Sequence, residues 1–204
     1  SGWTFHSRVT IWKDPVVEMQ RTKSNGLLYK QLCKDSSASR QGMPDYLVVF
    51  RKTDGRTDEF PCPVTTGGER FNKYIGTEPP LSFDSERHRS IQIWQRYASP
   101  VWFDIAQGNV LNVRVARESQ DEKHLCPLQL DVIKRAIALW TNPGDTVLSP
   151  FAGIGSEGYI ALTSGREFIG IELKRAYWEW AVRYLRQAQD ECRSLFAEEV
   201  SCAV

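Results

Sequence analysis

Residues 146–172 read TVLSPFAGIGSEGYIALTSGREFIGIE, and this stretch decides the predicted fold. Val147 and Leu148 form a short apolar run that predicts a buried strand, and the glycines within residues 151–156 mark a sharp turn from that strand into a helix. Such a turn brings bare backbone close to a ligand. Ser156 is predicted to cap the helix, whose N-terminal amides and dipole favour an anion.

The continuation of this stretch predicts a second strand. We expect the helix to run to about Ser164 and to stop at Gly165, and the apolar run of residues 168–171 then leads into Glu172. An acidic side chain about 20 residues after a glycine turn is where a nucleoside-binding βαβ unit places an acceptor for ribose hydroxyls.

The glycine spacing is compatible with three interpretations. A G-x-G turn between strand and helix is often only a tight connection. Gly153, Gly155 and Gly158 also fit the G-x-G-x-x-G fingerprint of nicotinamide dehydrogenases. The Pro-Phe pair at residues 150–151 and Ser156 after the second glycine count against a dehydrogenase.

These residues resemble motif I of the S-adenosylmethionine-dependent amino DNA methyltransferases, the N6-adenine and N4-cytosine enzymes, usually written D-P-F-x-G-x-G-S. The resemblance implies that Phe151 packs against the cofactor, that the backbone of the two glycines lies along its methionine part, and that Glu172 binds its ribose. Ser149 departs from the motif, because the family usually has Asp there to favour the cationic end of the cofactor. The cofactor residues implied here are Pro150, Phe151, Ala152, Gly153, Gly155, Ser156 and Glu172.

A second motif of the family precedes this stretch. The pattern K-H-x-x-P, with His124 and Pro127, stands ahead of a helix predicted over residues 128–140 and of a turn at residues 142–145. Pro127 is expected in the first turn of that helix. The order resembles motif X, and the resemblance implies that His124 and Pro127 lie near the methionine end of the cofactor.

Composition excludes several classes of protein. Hydrophobic residues make up 41% of the 204 residues and charged residues 25%, as in an ordinary globular protein, and the net charge of +1 gives no global attraction to nucleic acid. No apolar run is long enough to span a membrane. The five cysteines are scattered without a C-x-x-C pair, which predicts reduced thiols in a cytosolic compartment, with neither a disulfide framework nor a zinc site. The resemblance to the methyltransferases implies that this compartment is the cytoplasm of a bacterium or of a phage-infected host.

The N-terminal quarter predicts two strands around a helical excursion. Residues 4–12 and 45–52 are rich in β-branched and aromatic residues, and residues 17–33 predict two helical pieces separated at Asn25-Gly26. This order resembles the part of these methyltransferases that follows the catalytic motif. The cations Arg21 and Lys23 have two interpretations, contact with DNA phosphates or a solvated helix face.

Regular patterning weakens over residues 53–120, where basic residues alternate with aromatic ones. Such a mixture suits a surface that binds phosphates and stacks on bases, although a loop-rich insertion with ordinary charges would look similar. In the family this position holds the target-recognition region. The DNA-contacting candidates are Arg21, Lys23, Arg70, Lys73, Arg87, Arg89, Trp94 and Arg96.

The catalytic tetrapeptide of the family, Asp, Asn or Ser followed by Pro-Pro and an aromatic residue, is not found in the sequence. The one Pro-Pro pair, Pro79-Pro80, is preceded by Glu78 and followed by Leu81, so no catalytic residue is assigned. The motif order matches the circularly permuted beta group, in which the tetrapeptide comes before everything found here. We therefore expect a missing N-terminal segment or a partner to carry it.

The sequence predicts an α/β fold. The expected architecture is a Rossmann-like methyltransferase sheet, mixed but mostly parallel, with helices on both faces, a permuted motif order and a loop-rich recognition insertion. The expected divisions are residues 1–52, the insertion at 53–120 and a cofactor-binding half at 121–204. The expected function is methylation of double-stranded DNA in prokaryotic or phage restriction-modification, at adenine N6 more than at cytosine N4, from S-adenosylmethionine and without a metal. This chain alone is expected to be inactive. The alternative is a non-catalytic DNA-binding module or partner subunit with the same fold.

Overall fold

A computed structural model describes residues 2–52, 86–112 and 127–201, with the side chains of all these residues except 21, 22, 25, 86–89 and 194–201. The described residues form two compact units, one made of 2–52 and 95–105 and the other of 86–94, 106–112 and 127–201. The predicted division of the chain into three parts stays a prediction, because its borders adjoin residues outside these ranges.

The first unit begins with a strand, two helices and a returning strand, as the sequence predicts. Asp14 starts the first helix, because its carboxylate accepts hydrogen bonds from the amides of Val16 and Val17 at 2.7 and 3.2 Å. A short 3-10 turn, Asn25–Leu27, separates the helices at the expected place. The elements are β1 (Trp3–Ile11), α1 (Pro15–Thr22), α2 (Tyr29–Lys34) and β2 (Asp45–Lys52).

Strands β1 and β2 pair antiparallel, with a bulge between Phe5 and Ser7. The bulge changes which residues of β1 face inward, so that Val9 on this strand is buried and stands opposite Leu47. The other face of the pair is exposed and aromatic. There the Phe5 and Phe50 rings meet edge to face with their centroids 6.1 Å apart.

A helix and a very short strand follow in the next described segment. They are α3 (Glu86–Tyr97) and β3 (Val101–Trp102), and β3 pairs parallel with β1 to give the strand order β2-β1-β3. Trp102 is buried, and its indole nitrogen donates to the carbonyl oxygen of Tyr97 at 2.9 Å. The expectation of weak regular structure across residues 53–120 is therefore wrong for residues 86–97, where the helix buries Ile93 and Tyr97.

The second unit contains the predicted strand-helix-strand arrangement. Its two strands pair parallel, from Thr146 opposite Glu167 to Ser149 opposite Gly170. Helix α5 ends at Thr163, with Gly165 just beyond it at a φ of 72°, as predicted. The elements are α4 (Leu130–Trp140), β4 (Thr146–Ser149), α5 (Ser156–Thr163), β5 (Glu167–Gly170) and α6 (Arg175–Ser201).

The core of this unit lies on one face of the strand pair. Ile133 and Ile137 of α4 pack with Ile160 of α5, and Val147 and Phe168 of the two strands pack against this cluster. Helix α5 lies very close to β5: a Cβ atom added at Gly158 would be 2.5 Å from the Phe168 ring and 2.6 Å from a Leu185 methyl group. Small residues therefore set the distance between helix and sheet.

Two predictions about this unit are wrong. Leu148, expected to be buried, is 60% exposed, because alternate residues of a strand point to opposite faces and Leu148 lies on the face away from the core. Ile169 and Ile171 share this exposure. Pro127 lies before α4 and not in its first turn, because the helix begins at Leu130 with Gln129 as its N-cap.

Arg166 connects the ends of two helices. Its guanidinium donates to the hydroxyl of Thr141 at 3.0 Å, to the carbonyl of Thr141 at 3.1 Å and to the carbonyl of Ser164. Thr141 is the C-cap of α4 and Ser164 the C-cap of α5. Burial lowers the pKa of Arg166, partly offset by the attraction of Asp145.

Candidate functional site

The turn between β4 and α5 is made of left-handed glycines. Gly153 has a φ of 55° and Gly155 a φ of 87°, a region that residues with a side chain rarely adopt. The Gly155 amide donates to the Ala152 carbonyl at 2.8 Å, and the Ala152 amide donates to the Ile171 carbonyl at 2.9 Å. The turn therefore stays attached to the chain beyond β5, and its backbone bends without a Cβ atom in the way.

Ser156 does not cap α5, which corrects the sequence analysis. The N-cap is Gly155, no side chain bonds to the cap, and Ser156 is already the first helical residue. A side-chain cap needs extended backbone at the residue before the helix, whereas here the left-handed glycine carries the chain directly into the helix. The buried Ser156 therefore leaves the first amides of α5 without a hydroxyl cap.

Glu172 is hydrogen bonded to both loops at the carboxyl ends of the strands. One carboxylate oxygen, Oε2, accepts from the Gly153 amide at 2.8 Å, and the other, Oε1, accepts from the Lys174 amide at 2.8 Å. The side chain is half-buried and lies beside the glycine turn. A fixed carboxylate in this position can accept hydrogen bonds from the hydroxyls of a ligand.

Phe151 stands at the start of the turn with 87% of its surface exposed. A large apolar ring with so little of its surface covered is unusual and is available to pack on a ligand. Its neighbours differ, since Pro150 is exposed while Ala152 and Ser149 are buried. An aromatic face, glycine backbone without side chains and a carboxylate thus lie along one turn, a set suited to a ligand with a flat base, hydroxyls and a polar chain.

One titratable residue of this turn was missed by sequence reasoning. Burial raises the pKa of Glu157, which lies in the first turn of α5. The signal was available, because an acid placed two residues after the second glycine is visible in the sequence.

Lys174, whose backbone amide donates to Glu172, also contacts an aromatic ring. Its ammonium group lies 4.6 Å from the centre of the Tyr177 ring.

The remaining predicted residues lie elsewhere. Pro127 precedes α4 and is half-buried, while His124, Arg70 and Lys73 lie outside the described residues. Arg21 is on α1 and Arg87 and Arg89 are on α3, but their side chains also lie outside the described part.

The described DNA-contact candidates are exposed. Lys23 is the C-cap of α1 and has a left-handed φ of 57°. Trp94 on α3 is 54% exposed. Arg96, near the end of the same helix, pairs through Nε with the Asp104 carboxylate at 2.6 Å. A phosphate would compete with that carboxylate for Arg96.

Within residues 2–52, 86–112 and 127–201, no group of His, Cys, Asp or Glu side chains has the arrangement of a metal site. No helix in the same ranges has the length and apolar character needed to cross a membrane. Cys33 and Cys192 are free thiols.

Comparison with known protein families gives a match over most of the chain. A family model described as DNA methylase matches residues 2–183. The DNA adenine methyltransferase YhdJ of Escherichia coli (strain K12) is 42% identical over 80 residues, which are 38% of this chain and 27% of that protein. The type II methyltransferase M.BglII of Bacillus subtilis is 34% identical over 86 residues, 41% of this chain and 24% of that one.

A solved structure shares the fold. TTHA0409 from Thermus thermophilus, in a complex with S-adenosyl-L-methionine, superposes with a TM-score of 0.53 and 19% identity over 92% of this chain and 55% of that one. Its selenomethionine form gives the same score and identity over 58% of its length. The predicted α/β methyltransferase fold is thereby confirmed. The matches span about a quarter of each curated relative and little more than half of the solved chain.

Proposed function

Because the chain belongs to the DNA methylase family, whose model it matches over residues 2–183, we propose that it is part of a site-specific DNA methyltransferase. The proposed reaction moves a methyl group from S-adenosylmethionine to an exocyclic amine of a flipped base in double-stranded DNA, at adenine N6 more than at cytosine N4. The similarity to an adenine enzyme, YhdJ, supports adenine. The observation that carries the proposal is the Glu172 carboxylate fixed beside the left-handed glycine turn.

The cofactor site is proposed at this turn. The exposed Phe151 ring is suited to pack on the cofactor, the turn from Pro150 through Ser156 to lie along its methionine part, and Glu172 to accept from its ribose hydroxyls. The uncapped N-terminal amides of α5 favour a carboxylate of the ligand. By resemblance His124 and Pro127 approach the same part of the cofactor.

The residues of this chain bind and orient, and they carry no step of bond making. S-adenosylmethionine supplies an electrophilic methyl group on a sulfonium. Phe151, the glycine turn and Glu172 would hold this cofactor, and it would supply the methyl group that the amine of the base takes up. Residues that fix the cofactor in one orientation would raise the rate of that transfer.

We propose that a further polypeptide segment, in the same protein or a partner, supplies the group that positions the amine. The apolar face of β4 and β5 supports this, because Leu148, Ile169 and Ile171 are all more than half exposed. Parallel strands are normally covered on both faces, and among the described residues β4 pairs with β5 alone. The segment would cover this face and extend the sheet beside β4.

DNA contact is proposed for the basic and aromatic candidates. Of those described, Lys23 and Arg96 offer phosphate contacts and Trp94 an exposed ring for stacking. The same role is proposed for Arg21, Arg70, Lys73, Arg87 and Arg89.

A second candidate function is a non-catalytic DNA-binding subunit with a methyltransferase fold. Ser149 favours it, because the buried hydroxyl at the end of β4 replaces the carboxylate that would attract a cationic cofactor. Co-expression with a polypeptide that carries an Asp-Pro-Pro-aromatic segment separates the two candidates. Methylation of DNA by the pair supports the enzyme, and DNA binding without methylation supports the subunit.

The direct test is calorimetry of this chain with S-adenosylhomocysteine. We expect saturable binding, and we expect Phe151→Ala to weaken it about tenfold through loss of aromatic packing. Leu173→Ala is the matched control, since Leu173 is 98% exposed on the next loop and should leave binding unchanged. Absence of heat at millimolar ligand, with the protein folded by circular dichroism, would contradict the proposed cofactor site.

A further inference from the structure

Glu172 is hydrogen bonded to two loops of the chain. Its two carboxylate oxygens accept from the Gly153 amide on the β4–α5 loop and from the Lys174 amide after β5, each at 2.8 Å. We propose that Glu172 is a positioning residue that fixes the glycine turn in its ligand-binding shape before the ligand arrives. This role is additional to the proposed contact between Glu172 and the ribose hydroxyls. Only the effect of the positioning role on cofactor affinity rests on the proposed function.

The glycine turn needs such support. Gly153 has no side chain to restrict its backbone, and its φ of 55° is one of several conformations open to glycine. The hydrogen bonds from the Ile171 amide to Ser149 and from the Ala152 amide to Ile171 hold the chain up to the turn. The bond from Gly153 to Glu172 extends this series by one residue into the turn itself.

The positioning role and the hydroxyl contact do not compete. Each carboxylate oxygen has about two acceptor sites, and the two amides use one site on each oxygen. One site on each oxygen is left for a ligand, which matches two neighbouring hydroxyls. The Gly153 bond can therefore persist when the ligand is bound.

Two variants together separate the positioning role from ordinary loss of charge, and Glu172→Gln, which removes the charge, is the first. The amide that replaces the carboxylate has one acceptor oxygen and one NH₂ group, so one of the two backbone amides would face a donor. Glu172→Asp is the second variant, because it keeps the charge but is too short to reach both loops. Glu167→Gln is the matched control, since Glu167 accepts only from the Thr146 hydroxyl at the other end of the strands among the bonds described, at 3.1 Å.

The first measurement is hydrogen exchange of the Gly153 and Lys174 amides in the protein without ligand. We expect exchange of at least one of the two amides to become about tenfold faster in Glu172→Gln and in Glu172→Asp, the effect of losing one hydrogen bond to a charged group, and exchange of both to stay unchanged in Glu167→Gln. Unchanged exchange at both the Gly153 and the Lys174 amides, in both folded variants, would overturn the positioning role. This result does not depend on the proposed function, since no ligand is present.

The second measurement is a double cycle with two ligands, S-adenosylhomocysteine and its analogue without the 2′ and 3′ hydroxyls. If Glu172 acted only on the hydroxyls, Glu172→Gln would not change affinity for the deoxy analogue. We expect a residual loss of roughly threefold to tenfold for that analogue, because the turn is no longer held. A residual loss of zero overturns the link between positioning and affinity. If the unaltered protein binds neither ligand, the proposed function fails while the exchange result still decides the positioning role.

Discussion

Two strand pairs in the described part of the chain, β1–β2 and β4–β5, offer different groups for recognition. β1 and β2 pair antiparallel over eight residue pairs and present side chains, with Phe5, Tyr46 and Phe50 all more than half exposed on one face. β4 and β5 pair parallel over four residue pairs and present backbone and a carboxylate at their carboxyl ends. On β1–β2, a single substitution can change a single contact with a partner. At the ends of β4 and β5, recognition depends on the backbone conformation of glycines, which few substitutions preserve.

The difference also lies in how each pair is stabilised. The first unit contains a large buried side chain, Trp102, which is only 1% exposed. In the second unit, helix α5 packs closely on β5 because Gly158 has no side chain between them. We therefore expect the first unit to be most sensitive to removal of a large side chain and the second to addition of a small one.

The largest effect is expected for Trp102→Ala in the first unit. Removal of a fully buried indole leaves a cavity and takes away the N–H that donates to the Tyr97 carbonyl, so the unfolding free energy should fall by about 4 kcal/mol. Urea unfolding followed by circular dichroism measures it. Trp3→Ala, at a position that is 59% exposed, is the control and should cost about 1 kcal/mol. Equal losses in the two variants would mean that Trp102 is not central to the unit.

The next effect is expected for Gly158→Val in the second unit. The new side chain would push on the Phe168 ring and Leu185, which lie within 2.6 Å of the added Cβ position, at a cost of about 3 kcal/mol. Gly42→Val in the first unit meets nothing within 4 Å and should change stability by less than about 0.5 kcal/mol. If both variants melted at the same temperature, close helix-sheet packing would not distinguish the second unit.

A smaller effect separates the two faces of β4. Val147→Thr places a hydroxyl against the Ile133 cluster and should cost about 1.5 kcal/mol, while Leu148→Thr on the exposed face should change stability by less than about 0.5 kcal/mol. Chemical denaturation of both variants gives the two values. A larger loss of unfolding free energy for Leu148→Thr than for Val147→Thr would show that this face is covered in solution. Light scattering would then test whether self-association covers it.

The smallest effect is expected for Tyr159→Phe. The Tyr159 hydroxyl donates to Glu191 at 2.6 Å, which raises the pKa of Tyr159 to about 12 and lowers the pKa of Glu191. Since Glu191 is only half-buried and solvent still reaches the pair, the loss at neutral pH should be about 0.5 kcal/mol.

The pH dependence of that loss follows from the two pKa shifts. A lowered carboxyl pKa stabilises the fold above the ordinary value of 4.5 and ceases to do so as pH falls through the folded pKa. A raised tyrosine pKa stabilises it below pH 10 and ceases to do so as pH rises toward 12. The difference between Tyr159→Phe and the unaltered protein should therefore shrink at both extremes. Tyr29→Phe is the control, since Tyr29 is 78% exposed and its substitution should leave the unfolding free energy unchanged at neutral pH.

The sequence was sufficient to predict the features that depend on residues close together in the chain. β2 was predicted within its observed bounds because it is a continuous apolar run, and α5 was predicted because a glycine turn and Gly165 mark its two ends. Glu172 was predicted beside the turn because strand-helix-strand units of this kind vary little in length. Its hydrogen bond to Gly153 is consistent with that placement.

What failed depends on distant residues or exact dihedral angles. Leu148 is apolar in either environment, so its exposure depends on which elements cover the sheet and not on its own identity. The cap of α5 was misassigned because a left-handed Gly155 cannot be told from an ordinary glycine by its letter. Helix α3 was missed because Ser90, Ile93 and Tyr97 are spaced for a helix but stand among charged and aromatic residues that hide the pattern.

The hydrogen bonds of Arg166 limit where the chain can be cut or given new termini. Since one guanidinium is bonded at Thr141 and at Ser164, a cut or an inserted residue between 141 and 146 would displace the ends of α4 and α5 together. New termini introduced there should abolish folding of the unit. Residues 41–43 are exposed, lie between the Arg40 amide bonded to Gly26 and the start of β2, and are the better place to divide the protein into fragments for reassembly.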